Sequence, residues 1–564
     1  MPVNTWIQNL MDSAIPSKAS HFLIISAIIY LSIAVFSINK PLTLDQANPI
    51  AWNAGAIAAY GWDELGNTAV EYEISHTLLH IHILALSYKA FGETTFAGRL
   101  VGVFCFIGVL FMIIQLSKQL FPARKGVIVG GTAALLYSIN PFAVQQSLLV
   151  DQETTVLPLM MLIFLYHLYR SDFKVSINSV ISLGALFALC LWAKEFSPFF
   201  MLIALWPFVW LYRGLKDAIV LTLGIGVVGV GLFVTTWGLY CMITGVPIMS
   251  FVEFSIVNKA MNPDFHKVRS VAALVRAFEE TTVMVTPAFT ALLVMAAAVR
   301  VKQLFASHSG RLPVQRTDYI WFYIAIFWAI TNLHMYTHQR YQYPMYSIAA
   351  IPIAEFLYVL LTSAARKHVA MTVGLGTSIA VVLALIFPHT HLTDTYEFIV
   401  IWVCVPLVVC AAGIVSIHVP FCSRKYLGLT ALCFYIATNL SVGIQQTKPY
   451  TTAVSWDEYG EEGFLDTLDY LRNSVGDTVP VIRKDLAYYL TLDQQDRKFE
   501  WIYNKIFRTK DENTIMEEIS RDDVRFIVLD STTKPDEAAS VINGNYLLVK
   551  RFGDFEVFEK STAD

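Results

Sequence analysis

Carboxylates and imidazoles gather in a few stretches of this sequence. Asp45, Asp63, Glu64, Glu71 and Glu73 lie between Asn39 and Gly98, with His76, His80 and His82 among them. Asp151, Glu153 and Glu195 follow beside later apolar runs, and Glu253, Asp264, His266, Glu279 and Glu280 form a third group. A carboxylate near the reacting atoms can take the proton of a hydroxyl or amine nucleophile. His76 and His80 stand four residues apart, so on a helix they share one face. With a third ligand, such as Glu71, Glu73 or His266, they would hold a divalent metal. Plain surface histidines are the simpler reading. The cysteines (Cys105, Cys190, Cys241, Cys404, Cys410, Cys422 and Cys433) lie in or beside apolar runs, and no CxxC occurs. They read as small buried hydrophobes, not as a disulfide framework or metal site.

The elements that must carry these residues are long apolar helices. Only 15% of the 564 residues are charged, against roughly 25% in an ordinary soluble domain. The mean hydropathy is +0.54. Apolar runs at 21–38, 99–119, 126–141, 154–169, 177–193, 198–212, 218–243, 284–299, 319–335, 345–363, 369–387, 397–417 and 427–445 predict about thirteen transmembrane helices. Pro158 and Pro352 are the notable breakers inside them. The alternating pattern of a membrane barrel is missing from the sequence. The first run is followed by Ile38, Asn39, Lys40 and Pro41, with no small-residue cleavage site, so it reads as an uncleaved anchor.

Loop charge gives the orientation. One set of alternate loops collects Lys118, Arg124, Lys125, Arg170, Lys174, Arg213, Lys216, Arg300, Lys302, Arg311, Arg316, Arg366, Lys367, Arg424 and Lys425, with only Asp172, Asp217 and Asp318 as acids. Basic excess in short loops marks the cytoplasm, so the N-terminus is expected inside and the acid-rich loops outside. An odd number of spans puts the C-terminal part outside as well. The stretch Thr77–Phe91 is apolar but interrupted by His80, His82 and Lys89, which suits a helix lying in the interface. No clustered basic face suggests a nucleic-acid partner.

The domains expected are a transmembrane part, 1–447, and a small extracytoplasmic α/β domain, 448–564. The second has 24 acidic against 15 basic residues. Phe464, Leu468, Leu471 and Val475 share one face of a predicted helix. Strands are predicted at 478–482 and 524–529, and a hairpin at 546–550 and 555–559. The acidity of this part would either steer a basic acceptor or keep it soluble.

Five fragments, in order along the chain, resemble the GT-C glycosyltransferases, in the branch of aminoarabinose transferase and protein O-mannosyltransferase (glycosyltransferase 39 type). LDQANPIAWNAGAIAAYGW resembles that family's Asp-Glu loop, with Asp45 at the first acid and Gln46 where the second usually stands. SHTLLHIHILALSYKAFGETTFAGRL is similar to its His/Lys-Pro-Pro-Leu helix and the Arg-Leu that follows. His76 takes the basic position and Arg99 the arginine, while Thr77 and Leu78 replace the prolines. NPFAVQQSLLVDQETTVLPLMM is similar to the second outer loop, with Asp151 as its acid. LWAKEFSP supplies Lys194, and HQRYQYPMYSIAAIP resembles the Arg-Tyr loop, with Arg340 and Tyr341.

The resemblance implies a GT-C fold in the cell (inner) membrane and a polyprenyl-phosphate-linked sugar as donor. A lipid, glycan or protein would be the acceptor, with membrane lipids around it. It implies inverting single displacement, with Asp45 as base and Asp151 orienting the acceptor. Arg340, Tyr341, Arg99, Lys194 and His76 would meet the donor phosphate. Ordinary readings stand beside these: Asp151 as a helix cap, Lys194 paired with Glu195, Arg340 snorkelling to headgroups. Some relatives hold a divalent ion near this loop, but Ser75 stands where they carry a glutamate. A divalent metal is the cofactor that the resemblance leaves open. The weak metal candidates are Glu73, His76, His80 and His266. A polyprenyl-linked oligosaccharide transferase is the rival within enzymes. A transporter or flippase is the rival outside them, though neither a repeat nor a midplane charge is visible.

Overall fold

The structure, a computed structural model, describes residues 19–35, 38, 50–61, 78–252, 277, 285–305, 314–333, 339–362, 463–474, 476, 478–482, 486, 490, 521, 524–530, 545–553 and 555–561. Helices run in this order: α1 Ala19–Ala34, α2 Trp52–Tyr60, α3 Leu79–Phe91, α4 Thr95–Leu120, α5 Ala123–Ser138, α6 Pro141–Ser147, α7 Val156–Arg170, α8 Ile177–Ala193, α9 Phe199–Arg213, α10 Leu215–Thr244, α11 Ile248–Val252, α12 Pro287–Phe305, α13 Asp318–Leu333 and α14 Tyr343–Thr362. A 3₁₀ turn, Gln339–Gln342, precedes α14. The predicted spans at 369–387, 397–417 and 427–445 lie outside the described residues.

Local sequence explains most of the boundaries. Thr94, Asn140 and Ser176 cap α4, α6 and α8 by accepting from the backbone N–H three residues on. Gly92 (φ 81°) ends α3 and Gly214 (φ 112°) separates α9 from α10, both in backbone conformations that a side chain resists. Among the described helices, α4 and α10 are long and apolar enough to cross a membrane; α1, α7, α8 and α9 are apolar and shorter. Helix α3 has 13 residues, about 20 Å, too short for a hydrocarbon core of about 30 Å. It lies against α2 and α4.

One helix was not expected. The span expected at 126–141 is α5, which ends at Ser138, and a further helix, α6, leaves it at 73°. Pro141 has no N–H to continue the ladder, and Asn140 caps the second of the two helices. Of the prolines, Pro207 also sits inside a helix, along with Pro352. Pro158 stands in the first turn of α7, where a missing N–H costs nothing.

Helix α4 is the centre of the bundle, touching α5, α7, α3 and α1. It approaches the chain after α6 so closely that a Cβ at Gly102 would meet the Ser147 carbonyl oxygen. The rings of Tyr30 and Phe106 stack at 4.0 Å, and Phe106 reaches Tyr137 at 5.2 Å, which locks α1, α4 and α5 together. The Ser147 hydroxyl donates to Val144 O, so the 2.9 Å contact of Tyr30 with Ser147 Oγ is a bond that the tyrosine donates.

In the C-terminal part, β1 Val479–Val481, β2 Val524–Asp530, β3 Tyr546–Phe552 and β4 Phe555–Lys560 form one sheet in the order β1-β2-β4-β3. The β1–β2 pair is parallel, and β4 pairs antiparallel with β2 and β3. Helix α15, Phe464–Ser474, turns Phe464, Leu468 and Leu471 inward, and Phe464 meets Phe555 at 6.0 Å.

Candidate active site

The predicted site residues fall into three groups. Asp45, His76, Glu73 and His266 lie outside the described residues. Arg340 is described only through its backbone, in the 3₁₀ turn. Arg99, Asp151, Lys194, Tyr341 and His80 are described with their side chains, and all but Tyr341 are buried.

The segment Leu148–Thr155 organises them. It connects α6 to α7 and is buried along its whole length, although five of its residues are polar: Asp151, Gln152, Glu153, Thr154 and Thr155. Buried polar groups must be bonded, and these bond to one another and to neighbouring elements. Asp151 Oδ1 accepts from the Glu153 N–H at 2.8 Å, which folds the segment into a tight turn. Asp151 stands four residues before Thr155, the N-cap of α7. Thr155 is the N-cap of α7, yet its side chain makes no capping bond. Its hydroxyl instead donates to the Asp151 carbonyl at 2.6 Å.

Arg99 ties this segment to the end of α1. It is 1% exposed. Its Nε donates to Leu148 O at 3.0 Å, and a terminal nitrogen reaches Ile38 O at 3.4 Å. Leu148 precedes Asp151 by three residues and Ile38 precedes Asp45 by seven. The arginine thus bridges the Leu148–Thr155 segment and Ile38.

Lys194 ends α8 in extended backbone (φ −161°, ψ 136°), which carries its side chain off the helix axis. Its Nζ lies 2.6 Å from Glu153 Oε1 and 3.5 Å from Glu195 Oε1, all three side chains being at most 6% exposed. The Tyr341 ring centroid is 5.7 Å away. Burial works against the ammonium, but Glu153, Glu195 and Tyr341 outweigh it and raise the Lys194 pKa above its ordinary value. The expected Lys194–Glu195 pair exists, and Glu153 is the nearer partner. Glu153 was missed as a site residue; its only sequence signal is its place two residues after Asp151.

His80 is not a surface histidine. It is 1% exposed, and Nδ1 lies 3.0 Å from Thr155 Oγ1. Burial lowers its pKa to about 4, with Asp151 acting in the opposite direction. The described residues contain no group of three side chains able to hold a metal. Lys194, Glu153, Glu195, Tyr341, Asp151, His80 and Arg99 thus gather charge and hydrogen-bonding groups at one end of α7 and α8.

Comparison with known proteins gives a partial family match and a fold. Residues 75–238 match the family model described as dolichyl-phosphate-mannose-protein mannosyltransferase. That stretch contains His76, His80, Arg99, Asp151, Glu153 and Lys194. No curated protein matches the sequence. The fold is similar to that of ArnT from Cupriavidus metallidurans bound to undecaprenyl phosphate, with a TM-score of 0.58 at 11% identity over 96% of this chain and 98% of that one. The apo state of the same protein gives 0.58 at 12% identity, over 96% and 97% of the two chains. The apo oligosaccharyltransferase of Archaeoglobus fulgidus gives 0.48 at 12% identity, over 97% of this chain and 75% of that one.

Proposed function

We propose, from the premise that this chain is a helical membrane protein with the GT-C glycosyltransferase fold, that it moves a sugar from a polyprenyl phosphate to an acceptor at the outer face of the membrane. The observation that carries this reading is the buried convergence of Lys194, Glu153, Asp151 and Arg99 around one loop, with the Arg340–Tyr341 turn beside it. Desolvated groups of both signs held at one point are what such a transfer needs.

The acceptor oxygen or nitrogen attacks the anomeric carbon, and the bond from that carbon to the phosphate oxygen breaks. The acceptor proton passes to a carboxylate, and polyprenyl phosphate leaves with the bonding electrons. Asp45 is the base in this scheme and Asp151 orients the acceptor. Asp151 is suited to that because its turn is fixed through Oδ1. Arg340 and Tyr341 meet the donor phosphate, with His76, Arg99 and Lys194 completing the positive side. Lys194 starts between two carboxylates, so it gains from the phosphate only as charge builds there. One displacement inverts the anomeric centre. The acceptor is a lipid, a glycan or a protein, and the C-terminal sheet is taken to stand on the same side as the site.

The test is transfer by purified protein from labelled polyprenyl-phosphate sugars into a membrane extract. Asp45→Asn and Asp151→Asn are expected to lose at least about 100-fold in rate. Equal rates for wild type and Asp45→Asn, or a product that keeps the donor's anomeric configuration, would overturn the scheme. Loss of transfer with a chelator would favour the oligosaccharide-transferase reading.

A further inference from the structure

The bond pattern around His80 fixes its tautomer. The Thr155 hydroxyl has one proton, and its short contact with the Asp151 carbonyl uses it, since a carbonyl only accepts. The remaining contact, between Thr155 Oγ1 and His80 Nδ1, therefore needs the proton on Nδ1. The neutral ring then carries a bare lone pair on Nε2. That atom is shut off from solvent and has no hydrogen-bond partner among the described residues. A buried acceptor left unmet is costly to a folded protein. Thr155 makes no capping bond for α7, its hydroxyl being engaged by the Asp151 carbonyl and the His80 ring. Both features centre on the His80 ring, one at each nitrogen.

A lone pair at Nε2 selects its partner. It repels a phosphate oxygen, which brings negative charge and no proton. It accepts from a hydroxyl. We propose that His80 Nε2 receives the hydrogen bond of a sugar hydroxyl at the Asp151 loop, and so helps choose which sugar the site takes. This assignment rests on the glycosyltransferase reading above. The hydroxyl belongs to the donor sugar or to a glycan acceptor, and the chemistry is the same for both. Thr155 is a positioning residue that acts through His80.

Two variants separate the ring's two nitrogens. His80→Asn keeps an amide N–H near the Nδ1 position for Thr155 and leaves nothing at Nε2. His80→Gln places a carbonyl oxygen near the Nε2 position. Full-length protein in detergent is titrated with a panel of undecaprenyl-phosphate hexoses and pentoses, with undecaprenyl phosphate alone, and separately with the methyl glycosides as acceptor probes. The readout is the thermal midpoint, followed by kcat/KM for any sugar that transfers. In wild type at least one sugar is expected to raise the midpoint beyond the bare lipid phosphate or the buffer. His80→Asn is expected to lose that increment and about tenfold in kcat/KM, and His80→Gln to recover most of both. Loss confined to the lipid arm assigns the hydroxyl to the donor, and loss confined to the glycoside arm assigns it to the acceptor. A variant His80→Asn with the full sugar increment overturns the assignment alone. Wild type blind to every sugar overturns it together with the transferase reading. A midpoint that instead follows added zinc, and follows it only while His80 is present, overturns it in favour of a metal ligand.

Discussion

The two ends of helix α7 carry ion clusters of different design. At its C-terminal end the charges close on themselves. Arg300 grips Asp318 through two bonds of 2.6 Å, and Asp318 Oδ2 also accepts from the Gln315 N–H. Arg213 and Arg316 both meet Asp172, and Arg316 donates to the Tyr169 carbonyl. Arginine and aspartate match fork to fork there, and the half-exposed Asp172 cluster sits within reach of water. At the N-terminal end, about 22 Å away along α7, Lys194 is shared between Glu153 and Glu195 at unequal distances, and Tyr341 completes its surroundings. A lysine, compact and mobile, replaces the fixed fork. The first end reads as a fastening and the second as a place where partners can be exchanged.

The most forceful way to break this comparison is to remove the cation from each end. Lys194→Met leaves two buried carboxylates without it and is expected to cost about 3–5 kcal/mol of stability, with transfer abolished. Arg300→Met is expected to cost a similar amount, yet each molecule that remains folded should transfer within about twofold of wild type. Thermal midpoints with rates per folded molecule decide it; equal activity losses at both ends would erase the distinction.

Backbone fit gives a smaller effect. Gly102→Ala puts a methyl against the Ser147 backbone oxygen, which cannot move without shifting the segment that leads to Asp151. About 1–3 kcal/mol and a large drop in rate are expected. Gly108→Ala meets only the flexible end of Leu159 and should cost under about 1 kcal/mol. If the two glycines prove equally sensitive, close packing at the loop has no special role.

Glu153→Gln leaves Lys194 with Glu195 and should change stability by about 1 kcal/mol or less. Transfer is nevertheless expected to fall about 10- to 100-fold, because the partner that aligns Lys194 with the Asp151 turn is gone. A rate that follows stability alone would return the cluster to a fastening.

A further effect is in pH. His80 has a folded-state pKa of about 4, below the ordinary 6.5, because burial disfavours its charge. The unfolded chain takes up a proton below 6.5 and the folded chain does not until about 4. Its contribution to stability is therefore whole above pH 6.5 and lost between 6.5 and 4, to at most about 3 kcal/mol. The midpoint of His80→Gln should fall less steeply across that window. Parallel slopes for the two proteins would mean that the ring is not held neutral.

Hydropathy alone fixed much of the bundle. Apolar runs placed α1, α4, α5, α7 to α10 and α12 to α14 within a few residues, because a helix is the cheapest way to satisfy a backbone away from water. Period-two and period-3.6 patterns placed the C-terminal hairpin and α15 in the same way. The sequence also marked Asp151, Lys194, Arg99 and Tyr341 through their neighbours in the chain. It did not mark α6, which turns 73° away from α5 after Asn140. Nor did it show that Glu153 is the nearer partner of Lys194, that Arg99 spans two loops, or that His80 is buried with its tautomer set by Thr155. These facts join residues 41, 49 and 75 positions apart. A pattern along the chain records which face of one helix avoids water; only the packing of several helices decides which charged groups are shut in together and which atom is left to meet a substrate.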